Sequence, residues 1–447
     1  MAVLSIIQKS QLEGALRLDA EYYQPQYLEL DAKLERCKHL PLVSYLDYLT
    51  DGAHQTPDYQ ESGILFLSSG LIYENYIDFD SAKFISEKED KKLKHCKPKM
   101  NDILVSKSGK VGTSTVFNQE IDCNLFEGVA LLRVKNINPY FLSVFINSRL
   151  GQKQIERLVI GISQPHLHLE QVEKIKIPSV SVYEQREIEG IYCESVSYLK
   201  KSIDLYRQAE NLLLEELGLR DFKADEDLYS VINFSDIKSV NRMDAEYFQP
   251  KYERLIAKLK AEKARLLADV LENVLAKFNP LAQSDKIFKY VELSNINGSI
   301  GIIDGYTETS GREAPSRAKR VLKKGDVIVS TVEGSLGKVA LVHKEQEGYL
   351  ASTGFFQFRS GDLLPEVLLV VAKSFIFHNQ LEQRCAGTIL TAVPKDSIKD
   401  ILVPILPKAT QEKIAELVQE SHVARKKAKE LLEEAKHNVE ELIEKQA

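Results

Sequence analysis

The sequence predicts an α+β fold (mixed α/β) in which two globular modules are separated by two long helices packed as an antiparallel coiled coil. Three observations support this prediction: an internal repeat, short β-rich runs inside each copy, and a long proline-free heptad stretch at the end of each copy. Because a tandem duplication that closes into one body acquires a pseudo-two-fold axis, the second helix is predicted to run opposite to the first.

The internal repeat divides the chain into two halves. Residues 17–34 read RLDAEYYQPQYLELDAKL, and residues 242–259 read RMDAEYFQPKYERLIAKL. Further along, the run DILVS at 102–106 is matched by DVIVS at 326–330. Self-similarity at one fixed spacing indicates duplication of a structural unit. The predicted segments are a first globular module (1–178), a central helix (179–225), a second globular module (226–404) and a C-terminal helix (405–447).

The globular segments mix short strands with helices. Residues 63–67, 129–134 and 327–330 are rich in Ile, Val, Leu or Phe and are bounded by Gly, Asn or Asp, which is typical of strands. Helical patterns begin at Pro139 and Pro365. Each globular module is therefore predicted to contain both strands and helices.

Two stretches, 183–217 and 410–444, carry apolar or small residues at alternating spacings of four and three. This 3.5-residue repeat predicts two long helices with a coiled-coil seam. The alternative is that each helix packs only on its own module. The seam positions are Ile188, Tyr192, Ser195, Leu199, Ser202, Tyr206, Ala209 and Leu213, then Ile414, Val418, Ser421, the off-pattern Arg425, Ala428, Leu432, Ala435, Val439 and Leu442.

Composition excludes several classes of protein. The chain has 447 residues, of which 44% are hydrophobic, and no apolar run long enough to span a membrane. Five cysteines without a Cys-x-x-Cys pair predict reduced thiols and a cytoplasmic location. The net charge of −6 argues against a protein coated in nucleic acid, but it is compatible with a local basic surface.

The motifs of common enzymes are missing. The run GSLGK at 334–338 is too short for an ATP-binding P-loop, and no Gly-x-Gly-x-x-Gly follows a strand. Asn138-Pro139-Tyr140 only partly matches the Asn-Pro-Pro-Tyr of adenine methyltransferases and is better explained as a helix start. His166 and His168 have no evident third metal ligand. The sequence therefore predicts a binding protein that holds no cofactor or metal.

Basic and polar residues recur at matching places in the two halves. Lysines crowd 88–99 and basic residues crowd 312–324, and each run is followed by a Gly/Ser/Thr loop. Such runs are often only solvated surfaces, but their recurrence favours contact with DNA phosphates and bases. The candidate DNA-contact residues are Lys92, Lys94, Lys107, Ser108, Lys110, Thr113, Gln164 and His166 in the first half, and Arg312, Arg317, Arg320, Thr331, Ser335 and Lys338 in the second.

These features occur twice along the chain in the same order. With this arrangement, the chain resembles the specificity subunit of type I DNA restriction–modification systems. The matching local motifs are DGAHQTP (51–57), FKYVELSNIN (288–297), the DILVS and DVIVS runs, GISQPHL (161–167), and the Ile/Val-Pro pairs that precede the long helices. The second half departs from this pattern because it has no Asp-Gly-x-His element. The motifs carry the resemblance over essentially the whole chain.

The resemblance implies a non-catalytic subunit with two target-recognition domains. Each domain would read one half of a bipartite, asymmetric site in double-stranded DNA. The helices would set the spacing and dock two methyltransferase subunits, and restriction subunits would join through these. The open alternatives are the recognition subunit of a methyltransferase-only or phage-exclusion system, a coiled-coil adaptor whose modules bind protein, and an unrecognised enzyme.

Overall fold

Two helices of 35 and 37 residues, Val182–Glu216 and Lys408–Glu444, are called here the first and second long helix. The computed structural model describes residues 4–10, 12, 17–159, 165–222, 230–386 and 391–446. The chain divides into a first unit, Met1–Leu199 with Lys426–Ala447, and a second unit, Lys200–Arg425. Each unit therefore includes part of both long helices. Within the described residues, no helix is long and apolar enough to cross a membrane.

The first unit contains two four-stranded sheets and two short strand pairs. The antiparallel sheet has the order Leu46–Asp51, Val129–Val134, Ile103–Ser106, Ser114–Val116. The mixed sheet has the order Cys123–Leu125, Ile64–Leu67, Lys83–Ile85, Tyr59–Gln60, and its first two strands are parallel. The strand pairs are His39–Pro41 with Lys176–Pro178, and Ile72–Tyr73 with Tyr76–Ile77. The α-helices are Pro25–Leu34, Glu87–Lys92, Pro139–Asn147, Arg149–Leu158 and Leu169–Val172.

The second unit contains a six-stranded sheet, a four-stranded sheet and one strand pair. The larger sheet has the order Leu271–Asn273, Phe355–Ser360, Val327–Ser330, Val339–Leu341, Ile302–Ile303, Ile296–Asn297. The smaller sheet has the order Thr307–Ser310, Ile287–Val291, Leu350–Ser352, Ala318–Val321. Arg265–Leu266 pairs with Leu402–Val403. The α-helices are Phe234–Val240, Pro250–Ala261, Leu267–Val270, Pro365–Lys373 and Phe375–Arg384.

The sequence repeat is visible in strand register and in helix starts. Ile103 pairs with Leu132 in the first unit, and Val327 pairs with Phe358 in the second. Helices begin at Pro139 and Pro365, where the fixed backbone of proline suits the first turn. The side-chain oxygen of Asn138 caps the helix that begins at Pro139, because it accepts hydrogen bonds from the backbone N–H groups of Tyr140 and Phe141. The prediction that Asn138-Pro139 starts a helix is confirmed.

A buried ion pair joins two neighbouring strands of the main sheet in both units. Arg133 donates to both carboxylate oxygens of Asp102 at 2.9 and 2.7 Å. Arg359 makes the same two bonds to Asp326 at 2.8 and 3.1 Å. The aspartates are 1% and 0% exposed, so each depends on its arginine for charge compensation. This doubled pair fixes the strands that lead into the candidate DNA-contact loops.

A glutamine in the first turn of each long helix connects that helix to its globular module. Gln185 accepts a bond from the Asn138 N–H at 2.9 Å and donates to the carbonyl of Val180 at 2.8 Å. Gln411 accepts from the Leu364 N–H at 3.1 Å and donates to the carbonyl of Leu406 at 3.0 Å. One amide therefore satisfies two backbone groups at the start of each helix.

The predicted seam is buried almost throughout. Every predicted seam position of the first long helix is buried, as are those of the second except Leu442 and Arg425, which are half-buried. In the first unit, Ser195 donates to the carbonyl of Ala428 at 2.8 Å. In the second, Ser421 donates to the carbonyl of Ser202 at 2.7 Å, and Thr410 donates to Glu216 at 2.9 Å. These last contacts pair the two helix segments of the second unit in opposite directions.

The second long helix also buries a histidine in the second unit. His422 is 8% exposed; its Nε2 lies 2.9 Å from the carbonyl oxygen of Ile300, and its Nδ1 lies 3.0 Å from Nε2 of His343. Burial is the main cause that lowers the pKa of His422 to about 4, and the nearby charges of His343 and Lys373 lower it further. The folded protein therefore favours the neutral imidazole.

The free energy of unfolding is expected to fall by about 2 kcal/mol between pH 7 and pH 5, because unfolded His422 regains an ordinary pKa of about 6.5 and binds a proton that the folded form excludes. The sign follows from the lowered folded-state pKa: this stability is present above pH 6.5 and is lost as pH falls toward 4. Urea unfolding at both pH values measures the change. His422→Gln is the control, and an equal fall in that variant would show that other groups cause it.

Candidate nucleic-acid interface

An open cleft of about 600 Å³ lies in the first unit and includes two of the predicted DNA-contact residues. Its wall combines residues from the end of a strand, two tight loops and the start of a short helix. We call it the charged cleft. It is lined by Asp51, His54, Lys107, Glu127, His166, His168, Leu169 and Glu170.

Close backbone contacts bring the segments of the charged cleft together. A Cβ atom on Gly52 would lie 2.2 Å from the carbonyl oxygen of Leu125, so only glycine allows the chain to pass there. Lys107 donates its backbone N–H to the carbonyl of Gly128 at 2.7 Å and accepts a bond from the Leu167 N–H at 3.0 Å. Lys107 therefore joins the loops that carry Glu127 and His166.

A chain of charged contacts crosses the cleft. The ammonium of Lys107 pairs with the carboxylate of Asp51, and that carboxylate lies 3.2 Å from Nε2 of His54. Nδ1 of His54 lies 3.3 Å from the carboxylate of Glu127. The Lys107 side chain is only 4% exposed. Lys107, which the sequence predicts as a DNA-contact residue in a polar loop, is therefore buried against a carboxylate that compensates its charge.

His166 is half-buried in the same cleft, and its ring centroid lies 4.9 Å from that of His168. Burial lowers the pKa of His166, and the positive charge of Lys107 lowers it further. The lowered pKa favours the neutral imidazole, which offers one hydrogen-bond donor and one acceptor. In the part of the chain that the structure describes, no group of three or more His, Cys, Asp or Glu side chains is arranged to hold a metal ion.

The other first-unit candidates do not line the charged cleft. Lys92, Lys94 and Lys110 are exposed, and Lys92 contacts Glu89 at 2.8 Å. Ser108 is half-buried, with its hydroxyl 3.2 Å from that of Ser69.

Of the two remaining first-unit candidates, one is buried and the other lies outside the described residues. Thr113 is 3% exposed and donates to the carbonyl of Lys110 at 3.2 Å, so it shapes the loop from inside and the expectation of a surface contact is wrong. Gln164 lies outside the described residues.

The basic run of the second unit is split between surface and interior. Arg312 and Arg317 are exposed, and Arg312 contacts Asp285 at 3.0 Å. Arg320 is 3% exposed and donates from Nη1 to the carbonyl of Val274 at 2.5 Å. Burial lowers the pKa of Arg320 to about 10. The prediction that Arg320 belongs to a basic surface is therefore wrong, because this side chain supports the strand edge from inside.

The second-unit loop candidates surround one turn. Thr331 donates from its hydroxyl to the carbonyl of Gly354 at 3.1 Å, and the Ser335 hydroxyl lies 3.1 Å from that of Ser330. Lys338 donates from its ammonium to the carbonyl of Ile296 at 2.9 Å. All three candidates are half-buried. Their polar groups are thus largely engaged by the backbone of their own module.

The sequence reasoning missed Asp51, His54 and Glu127 as members of one cleft. Asp51 and His54 lie in the DGAHQTP motif, which was noted only for the resemblance that it carries. Glu127 has no local signal, because its place in the cleft depends on the bond between the Glu127 N–H and the carbonyl of Ala53, at 3.1 Å.

Comparison with known proteins finds one matching family model, described as the type I restriction modification DNA specificity domain, over residues 55–208. The EcoBI type I restriction enzyme specificity subunit of Escherichia coli is 27% identical over 139 residues, which are 31% of this chain and 29% of that protein. The HindI specificity subunit of Haemophilus influenzae is 26% identical over 112 residues, 24% of each chain. The matches thus span less than a third of these curated relatives.

Among solved structures, a type I restriction–modification S subunit from M. genitalium aligns with a TM-score of 0.41 and 14% identity, covering 92% of this chain and 95% of that one. The HsdS subunit from Thermoanaerobacter tengcongensis aligns with a TM-score of 0.28 and 12% identity, covering 92% and 97%. The resemblance predicted from the sequence is confirmed by the family model and the curated relatives: this chain is similar to type I restriction specificity subunits, and the match to their DNA specificity domain lies at residues 55–208.

Proposed function

We propose that this chain is the DNA specificity subunit of a type I restriction–modification complex, in which each globular module reads one half of a bipartite, asymmetric site. The observation that carries the proposal is the match of residues 55–208 to the DNA specificity domain. The repeated strand register and buried ion pair support a second module of the same kind. The modules are 1–178 and 226–404, followed by spacer helices over 179–225 and 405–447.

The long helices act as an antiparallel coiled-coil spacer. At 1.5 Å per residue, each is about 50 Å long, which is comparable to the separation of DNA half-sites about one helical turn (~34 Å) or more apart. Support comes from the buried seam and from the serine contacts within each unit. The seam serines are small, so the helices approach closely, and polar seam residues favour one register.

An engineered disulfide tests the helix direction. The hydroxyl oxygens of Ser202 and Ser421 are 3.1 Å apart in the second unit. Ser202→Cys with Ser421→Cys is therefore expected to form a disulfide under mild oxidation, detected as a mass loss of two hydrogens in the intact protein. Ser202→Cys with Ala435→Cys is the mismatched control. Equal crosslinking of the two pairs, or bridging of the control alone, would contradict the antiparallel register.

DNA binding tests the function itself. Lys94 and Lys110 are exposed in the first unit, so we expect them to contact phosphates rather than bases. Changing both to glutamine is expected to weaken binding to all duplex sequences alike, and to reduce the slope of log K against log salt by about 2. Fluorescence anisotropy over a salt series measures both effects.

The matched control for that experiment is Lys258→Gln, because Lys258 contacts Glu262 on its own helix. It should leave the salt slope unchanged. Binding of the wild-type protein that does not depend on salt would contradict the proposal and would favour the protein-binding adaptor.

The chain works without chemistry of its own: it holds two methyltransferase subunits on DNA, and restriction subunits join through these. The pseudo-symmetry supports this stoichiometry, because two similar helix surfaces offer two equivalent docking sites. No cofactor or metal is required of this chain. A cytoplasmic location fits its five free cysteines, which form no disulfide with one another.

Native mass spectrometry of the chain with its methyltransferase subunit is expected to give one copy of this chain and two of the partner. The purified chain alone is expected neither to methylate nor to cut duplex DNA, as measured by methyl transfer from a labelled donor and by gel analysis. Saturation with a single partner, or methyl transfer by the chain alone, would contradict the docking mechanism.

A further inference from the structure

The two modules share one backbone frame around the charged cleft. In the first unit the Lys107 N–H donates to the Gly128 carbonyl at 2.7 Å, and in the second the Thr331 N–H donates to the Gly354 carbonyl at 2.9 Å. The carbonyls of the same two residues accept bonds from Leu167 at 3.0 Å and from Val393 at 2.8 Å. Lys107 and Thr331 therefore occupy the same place in the two modules.

The same frame identifies three more matched positions. Leu132 and Phe358 are equivalent, because they pair with the equivalent residues Ile103 and Val327. On their other side, Leu132 pairs with Leu49 and Phe358 pairs with Asn273, so Leu49 and Asn273 are equivalent too. The first correspondence lies two residues after Leu49 and Asn273. The second lies one residue before Gly128 and Gly354, and the third lies one residue before Leu167 and Val393. They are Asp51 with Leu275, Glu127 with Thr353, and His166 with Ala392.

At all four positions the side-chain chemistry changes, and at Lys107 and Thr331 the backbone bonds to the matched glycines and to Leu167 or Val393 stay the same. Two carboxylates, an ammonium and an imidazole in the first module are replaced by a leucine, two threonines and an alanine in the second. Residues that support the frame do not change in this way, since the Asp102–Arg133 pair recurs as Asp326–Arg359. The two modules therefore differ in side chain at the four matched positions and share the ion pair that holds their strands together.

The two sets of side chains suit different base edges. Carboxylates accept hydrogen bonds from the amino groups of cytosine or adenine, whereas apolar groups and threonine methyls contact the methyl group of thymine. Asp51 and Glu127 repel phosphate, which argues against the charged cleft as a backbone-binding site. In the second module, Leu275 is 67% exposed and the other three residues are half-buried, so an apolar surface is accessible.

We propose that these four matched positions determine the base specificity of each module: the charged cleft reads an amino-bearing base through Asp51 and Glu127, and the second module reads a thymine methyl through Leu275 and Ala392. Lys107 is a positioning residue, because its ammonium holds the Asp51 carboxylate. This inference rests on the proposed DNA-reading function.

The test uses the full-length chain and selection from a pool of randomised duplexes. Asp51→Leu with Lys107→Thr gives the first module the side chains of the second and removes both charges together, so no unpaired charge is left buried. In the sites that this variant selects, the preference for one base in one half-site is expected to change by about tenfold. The base preferences of the other half-site are expected to stay unchanged. The single variant Lys107→Arg, which keeps the ion pair with Asp51, should retain the wild-type preference.

Lys135→Thr, which removes an exposed first-unit lysine that lies 3.9 Å from Asp47, is the matched control and should leave base preference unchanged. Circular dichroism confirms that each variant folds. If the double variant misfolds, Leu275→Asp in the second module supplies the reciprocal test, with the change expected in the other half-site.

Three outcomes separate the two proposals. A changed preference confined to one half-site supports the inference. An unchanged selected site in folded double and reciprocal variants overturns it and leaves the DNA-reading function in place. Failure of the wild-type chain to select any sequence overturns the proposed function, and this inference with it.

Discussion

Each module depends on a carboxylate that is removed from water at the start of a central strand. Asp102 and Asp326 accept two bonds from an arginine on the neighbouring strand and one from a nearby backbone N–H, that of Lys99 or Lys323. Removing one partner of such a pair costs several kcal/mol, because the remaining charge stays buried. The pair therefore fixes which strands adjoin, and with them the loops that follow.

Those loops are closed by matching backbone bonds at the ends of the strands, and side chains such as Thr113 add further bonds inside them. Ser106 and Ser330 end the two central strands, and each backbone N–H bonds across the following loop, to Thr113 at 2.8 Å and to Lys338 at 3.0 Å. The intervening residues differ in type between the two loops. A frame of backbone bonds thus permits unlike surfaces on like folds, because backbone hydrogen bonds depend little on side-chain identity.

The long helices, the main strands and the repeat were predictable from the sequence because each depends on local periodicity. Predicted stretches 183–217 and 410–444 compare with helices Val182–Glu216 and Lys408–Glu444. Residue roles in the loops were less predictable. Lys107 and Arg320 look like surface residues in their own segments, yet their partners Asp51 and Val274 come from distant strands. Burial of a long basic side chain is a tertiary property, so local composition does not reveal it.

The first-turn glutamines have a consequence for how such a protein could vary in length. Gln185 and Gln411 each bind a carbonyl just before their own helix and a backbone N–H of the preceding globular segment, that of Asn138 or Leu364. These side-chain amide contacts do not depend on how many helical turns follow the glutamine. Adding one heptad to each long helix after its glutamine would lengthen that helix by about 10 Å and leave both glutamine contacts and the seam pattern intact. The length of each long helix and the loops of its globular module are in this sense independently adjustable parts of one chain.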